Sequence, residues 1–181
     1  MKKSILLISS VLFIIITSNL HAQLLRAGVG GGYTTITSDA FFDNGYQYGG
    51  KVVVGIPVLP LNAALNLYNN PLSIDVEGIT NESSFFSAGL GGEFVILPGP
   101  LKPYVGLELL YVSTQERTWA GGSWGDPQTY FGLGLGAGAY FTLIPLIDLD
   151  LSAHYNMNSL ISGDGDFNTM EVRLNVLFKI L

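Results

Sequence analysis

The chain of 181 residues is 48% apolar and 12% charged, holds 23 glycines and no cysteine, and carries a formal charge of −6. That apolar content excludes a disordered tail, and the missing cysteine excludes a disulfide scaffold, a thiolate metal site, a cysteine nucleophile and a lipidated amino-terminal cysteine. An average soluble domain carries about 25% charged residues, so half that value points to a surface that avoids water, yet no interior stretch reaches the roughly 18 consecutive apolar residues of a membrane helix.

The amino terminus sets the compartment. Lys2 and Lys3 form a short basic region, Ile5 to Thr17 an apolar core, and Leu20-His21-Ala22 a small-residue-ended site before Gln23. This is the layout of a cleavable secretory signal over residues 1–22, with the cut between Ala22 and Gln23, and a mature domain over 23–181. Removing the two lysines leaves six Lys and Arg against fourteen Asp and Glu, a formal charge of −8. An acidic exported chain lacks the clustered cations that phosphate neutralisation needs, which excludes nucleic acid as a partner.

From Gln23 onward the recurrent period is two, the signature of strands. Leu25 to Thr35 sets Leu25, Ala27, Val29 and Tyr33 against Arg26, Gly28, Gly30 and Gly32. Tyr46 to Ile56 sets Tyr46, Tyr48, Val52 and Val54 against Gln47, Gly49 and Lys51. Leu61 to Tyr68 is a weaker segment with Asn62, Asn66 and Tyr68 on its polar face. In Phe86 to Leu97 the polar face holds Ser87, Gly89, Gly91 and Glu93, and around Val105 to Tyr111 it holds Tyr104, Gly106 and Glu108. Tyr130 to Phe141 alternates most cleanly, with Gly132, Gly134, Gly136 and Gly138 between Phe131, Leu133, Leu135, Ala137 and Ala139. Ile147 to Asn158 alternates apolar residues with Asp148, Asp150, Ser152, His154 and Asn156, and the last segment sets Val172, Leu174, Val176 and Phe178 against Glu171, Arg173, Asn175 and Lys179.

The connections alternate as well. Pro57 to Pro60, Pro98 to Pro100 and Ile144 to Leu146 are short; Ser38 to Gly45, Asn69 to Ser84, Thr114 to Gln128 and Ser159 to Thr169 are longer and polar. The pattern predicts an all-β, eight-stranded antiparallel up-and-down barrel with tight turns at one end and long loops at the other.

A soluble barrel turns its apolar face inward and a membrane barrel outward. The polar face here carries serial glycines and few charges of both signs, which suits a cramped lumen better than a solvated exterior. Ten residues at about 3.3 Å each, tilted about 40 to 45°, span roughly 23 to 25 Å, the height of an outer-membrane apolar band. Tyr33, Tyr46, Phe86, Phe94, Tyr111, Phe131, Phe141 and Tyr155 are the expected interface aromatics.

With its signal, its glycine-alternating strands, its short proline turns and its final amphipathic strand, the chain resembles the small outer-membrane β-barrel proteins of Gram-negative bacteria, the OmpA/OmpX-like superfamily. The resemblance implies a transmembrane barrel in the cell outer membrane, with short periplasmic turns, longer extracellular loops and no cofactor. It also implies contact with outer-membrane lipid and lipopolysaccharide, and with the barrel-assembly machinery during insertion. That machinery reads an outward terminal aromatic in such proteins, whereas here Phe178 precedes Ile180 and the terminal Leu181.

The lumen is expected to hold Arg26, Lys51, Glu93, Glu108, Asp148, Asp150, His154, Glu171, Arg173 and Lys179 as a paired network, since an unpaired buried ion costs several kcal/mol. Arg173 and Lys179 are expected to reach Asp148 or Asp150, and Arg26 to reach Glu171. Eight strands enclose only enough room for side chains, so a plugged, non-catalytic barrel is the leading expectation. The alternatives are a narrow ion channel and a soluble barrel holding an apolar ligand. Asp150, Ser152 and His154 on one strand face evoke a hydrolase, but alternate residues lie about 7 Å apart, too far for a triad. Asp39, Asp43, Asp75, Glu77, Glu82, Glu116, Asp126, Asp164 and Asp166 face only Arg117 in the loops. Two carboxylates around Gly165 fall short of a calcium site. Trp119, Trp124, Phe41, Phe42 and Phe167 are expected in the loops, against a partner or the outer headgroups.

Overall fold

The computed structural model describes residues 25–37, 44–57, 59–76, 79–115, 117–119, 122–124, 127–163 and 167–180, with the backbone alone for 73–76, 79–82, 117–119 and 122–124. Ala22, Gln23, Asp39, Phe41, Phe42, Asp43, Glu77, Glu116, Asp126, Asp164 and Asp166 lie outside the described residues, and the side chains of Asp75, Glu82, Arg117, Trp119 and Trp124 lie outside them too.

The elements are β1 (Leu25–Ile36), β2 (Gly45–Gly55), β3 (Leu61–Val76), β4 (Ile79–Val95), β5 (Leu101–Thr114), β6 (Arg117–Trp119), β7 (Gly122–Trp124), β8 (Thr129–Ile144), β9 (Ile147–Met157) and β10 (Asn168–Ile180). Every pairing is antiparallel. Neighbours follow chain order apart from β5 beside β8 and β4 beside β6, and β1 pairs with β10 from Leu25↔Ile180 to Ile36↔Thr169, which closes the cylinder. Eight strands therefore form the barrel wall, with β6 and β7 as an added hairpin. Closure removes the free sheet edge that lipid could not hydrogen-bond.

Two connections depart from the sequence expectation. Asn69 to Ser84 is not a loop: β3 and β4 stay paired out to Val76↔Ile79. Pro71 has no N–H to give, and the β2 ladder accordingly skips Asn70 and Pro71 between Tyr48↔Asn69 and Gly45↔Leu72, while the β4 side runs on unbroken. Thr114 to Gln128 contains the β6–β7 hairpin, joined to the β4 extension at Glu82↔Thr118.

The barrel is apolar outside. Leu90, Leu107, Leu109, Leu135, Leu151 and Val29 are all more than half exposed, a surface that water would not tolerate and lipid would solvate. Tyr33, Tyr46, Phe86, Phe94, Tyr111, Phe131, Phe141 and Tyr155 all point outward. Among the described residues no helix is long and apolar enough to cross a membrane, so the crossing is made by strands.

Candidate functional site

Successive Cβ atoms of a strand point to opposite faces, so each wall strand sends every second side chain into the lumen. Of the ten ionisable residues assigned there, nine are almost wholly buried and Lys179 is partly buried. They lie in tiers along the barrel axis.

At the turn end Asp148 meets Lys179 Nζ at 2.8 Å, Arg26 Nη1 at 3.4 Å and the Thr142 hydroxyl at 2.7 Å. Arg26 therefore does not pair with Glu171. The β1–β10 register sets Arg26 opposite Lys179 and Glu171 opposite Thr34, eight residues further along the strand. Lys102, which precedes the strand expected from Tyr104 but lies within β5, is half-buried within electrostatic range of Asp148, Arg26 and Lys179.

The middle tier centres on Lys51. Its ammonium donates to Asp150 at 2.8 Å and to the Tyr104 hydroxyl at 3.1 Å, and it pairs with Glu93 at 2.7 Å. Three donors thus meet three acceptors. Tyr104 donates in turn to Asp150 at 2.7 Å and stacks on Tyr140 at 4.7 Å. Tyr140 donates to Glu93 and lies 4.1 Å beneath the Arg26 guanidinium. These rings hold the cations from a second side by cation–π attraction.

Above this tier Arg173 binds Glu171 through Nε at 3.0 Å and Nη2 at 2.6 Å, approaches Glu108 at 3.9 Å and lies over the Tyr68 ring. It does not reach Asp148 or Asp150, because the ladder sets Arg173 opposite Ser152 and puts Asn175 opposite Asp150. Asn175 bonds Asp150 at 3.1 Å. His154 contacts Glu108 through Nδ1 at 3.0 Å and the Ser152 hydroxyl through Nε2 at 3.1 Å. The expectation that Ser152 and His154 stand too far apart to touch is therefore corrected. The imidazole bends along the strand toward Ser152, and the carboxylate in line is Glu108, which reaches over the β8 glycines from β5 two strands away, not Asp150. Among the described residues no cluster of His, Asp and Glu is placed to hold a metal ion.

Glycine makes room for this packing. A Cβ at Gly136 would lie 2.8 Å from the His154 ring, one at Gly138 would lie 2.7 Å from the Tyr104 hydroxyl, and one at Gly134 would lie 2.7 Å from both Glu108 and Asn156. A cavity beside Glu108, His154 and Tyr104 has space for about one water.

At the loop end the inward residues change character. Ile36, Leu72, Phe85, Leu110 and Val112 are buried against one another, with Tyr130 and Phe167 packed on them. Phe167 sits edge-on to Phe85 at 5.5 Å and is half-buried, so it packs onto this cluster and does not extend freely from the loop. Sequence reasoning missed this cap. The available signal was the switch from polar to apolar inward positions at the loop ends of β1, β3 and β5.

No curated protein matches the chain by sequence. A family model, the outer membrane protein beta-barrel domain, matches residues 7–179. The chain belongs to this family. It is an integral β-barrel of the cell outer membrane, and barrels of this kind set their tight turns in the periplasm and their long loops outside. The apolar outward face and this membership together exclude the soluble-barrel alternative. Solved structures share its fold. The Neisserial surface protein A aligns at TM-score 0.66 with 18% identity, over 87% of this chain and 97% of that one. The attachment invasion locus protein Ail of Yersinia pestis, crystallised with the heparin analogue sucrose octasulfate, aligns at 0.60 with 14% identity, over 87% and 97%. OprG of Pseudomonas aeruginosa aligns at 0.58 with 14% identity, over 87% and 95%.

Proposed function

We propose that this outer-membrane barrel is a closed, non-conducting and non-catalytic protein with a structural or surface-interaction role. The observation that carries the reading is the filled lumen, with an apolar cap over tiers of paired ions. An ion would have to displace the cap and then break the Lys51 and Arg173 networks, each step desolvating charges already paired. In planar bilayers the intact protein is expected to give no reproducible open-channel steps. Steady unitary conductance would overturn the plugged reading in favour of the narrow channel.

The Ser152–His154–Glu108 line has the bonding order of a hydrolase triad, and two physical facts count against catalysis. Strand N–H groups around it are committed to the barrel ladders, so the backbone supplies no oxyanion donors. The neighbouring cavity holds about one water, not an acyl group. Hydrolysis of short-chain and long-chain nitrophenyl esters by the folded protein is expected to equal that of Ser152→Ala; a serine-dependent rate would sink this part of the proposal.

The surface role is tied to the acidic loops. Nine carboxylates against Arg117 would repel a sulfated polyanion of the kind bound to Ail, so that ligand class does not carry over. Loop contacts with lipopolysaccharide would run through its sugars or through bridging divalent cations. Export through the signal over residues 1–22 belongs to the same reading, and amino-terminal sequencing of the membrane-extracted protein is expected to begin at Gln23.

A further inference from the structure

We propose that the periplasmic mouth of the barrel binds the phosphate headgroup of an anionic inner-leaflet phospholipid. Two independent features meet there. The first is a surplus of positive charge. Among the described residues Arg26 and Lys179 pair with the one carboxylate of Asp148 and Lys102 stands within electrostatic range of all three, while the next acids up the lumen, Glu93 and Asp150, share Lys51, so four cations face three carboxylates in this half of the barrel. Among the described residues the Lys102 side chain has no ion-pair or hydrogen-bond partner. Arg26 is only 3% exposed, yet its Nε has no hydrogen-bond partner and its one carboxylate contact is long. A buried guanidinium donor left unmatched beside two ammonium groups is a site shaped for an added anion.

The second feature is the rim. All three tight turns present apolar side chains: Ile56 and Leu59 on the first, Ile96 and Leu97 on the second, Ile144 and Leu146 on the third, each at least 40% exposed. Periplasmic turns bathed in water gain nothing from such residues. Membrane depth explains them. Along β8 the outward apolar run extends from Phe131 to Leu143, which at about 3.3 Å per residue and a tilt of about 40° covers roughly 30 Å, longer than the roughly 25 Å apolar band of such barrels. The turns therefore reach the inner headgroup level, where acyl chains cover the rim and the headgroups stand at the height of the cation cluster. Above the cluster, Tyr140, Tyr104, Val53 and Leu177 pack together, so the cations are screened from the lumen on that side. A cation cluster inside an apolar rim fits a phosphate attached to acyl chains better than a free anion.

The test uses the mature protein in nanodiscs of phosphatidylcholine doped with phosphatidylglycerol, released into the mass spectrometer under native conditions. Retention of phosphatidylglycerol over phosphatidylcholine is expected, because choline cancels the phosphate charge. Lys102→Gln and Lys179→Gln are each expected to lower that retention about fivefold, the effect of one surface lysine on an anionic lipid. Leu97→Ser is expected to lower retention of both lipids. No described residue pairs with the Lys102 side chain, so Lys102→Gln is expected to keep the fold and decides the question even if Lys179→Gln disturbs it; the heat-modified gel shift verifies folding. Equal retention of the two lipids, retention indifferent to Lys102→Gln, displacement by millimolar inorganic phosphate, or dimerisation through this end in place of lipid retention would each overturn the proposal.

Discussion

Lys51→Met is expected to destabilise the folded barrel by about 3 to 5 kcal/mol, the cost of leaving partners of a buried ion uncompensated. Lys51 is 1% exposed and is the shared cation of Glu93 and Asp150. Its removal leaves two carboxylates buried in the lumen with, among the described residues, the Tyr104, Tyr140, Asn62 and Asn175 side chains as their donors. Hydrogen bonds from neutral groups stabilise a carboxylate less than an ammonium does, and the two negative charges then repel one another. The measurement is the urea midpoint of reversible unfolding in lipid vesicles, followed by the loss of the fast-migrating folded band. The triple variant Lys51→Met with Glu93→Gln and Asp150→Asn is expected to recover most of the loss, because neutral amides of the same shape need no counter-ion. A Lys51→Met midpoint within about 1 kcal/mol of the parent would show that the lumen does not depend on ion pairing.

This tier also illustrates what could be read from the chain before folding. Parity along one strand is a local property, and it places Lys51, Glu93, Asp150 and the serial glycines on one face with no knowledge of neighbours. Which of them touch is not local. Arg26 meets Asp148 and not Glu171 because the β1–β10 register and the tilt of the strands decide height, and neither is written in the period of a single segment. The contact of Ser152 with His154 turned on side-chain direction, which Cα spacing does not describe. The long β3–β4 hairpin was hidden by Asn69, Asn70 and Pro71, residues that favour turns in isolation. In the barrel Asn70 is satisfied by Thr34, Ser87 and the Phe85 carbonyl, and Pro71 gives up its pairing on one side only. The apolar cap escaped notice for a related reason: Ile36, Leu72, Phe85, Leu110 and Val112 come from four strands and form one cluster only when the cylinder closes.

The glycines give the second large effect, and they separate two kinds of crowding. At Gly136 an added Cβ would press on the His154 ring at 2.8 Å, a side chain that can be trimmed. At Gly28 it would run into the Val176 carbonyl oxygen and the Leu177 Cα, which are backbone atoms of the strand that closes the barrel. Gly136→Ala is therefore expected to cost about 1 to 3 kcal/mol, the usual penalty of overfilling a packed interior. His154→Ala in the same chain should return part of that penalty, because the crowded ring is gone. Gly28→Ala is expected to cost more, since relief requires β1 and β10 to move apart and the closing ladder to lengthen its hydrogen bonds, and no side-chain truncation offsets it. Urea midpoints of the three variants and of His154→Ala alone give the coupling as a double-mutant cycle. Additive costs for Gly136→Ala and His154→Ala would mean that Gly136 is not the seat of the imidazole. A fully stable Gly28→Ala barrel would mean that β1 and β10 are free to separate where the cylinder closes, and the tight lumen would then rest on its ion pairs alone.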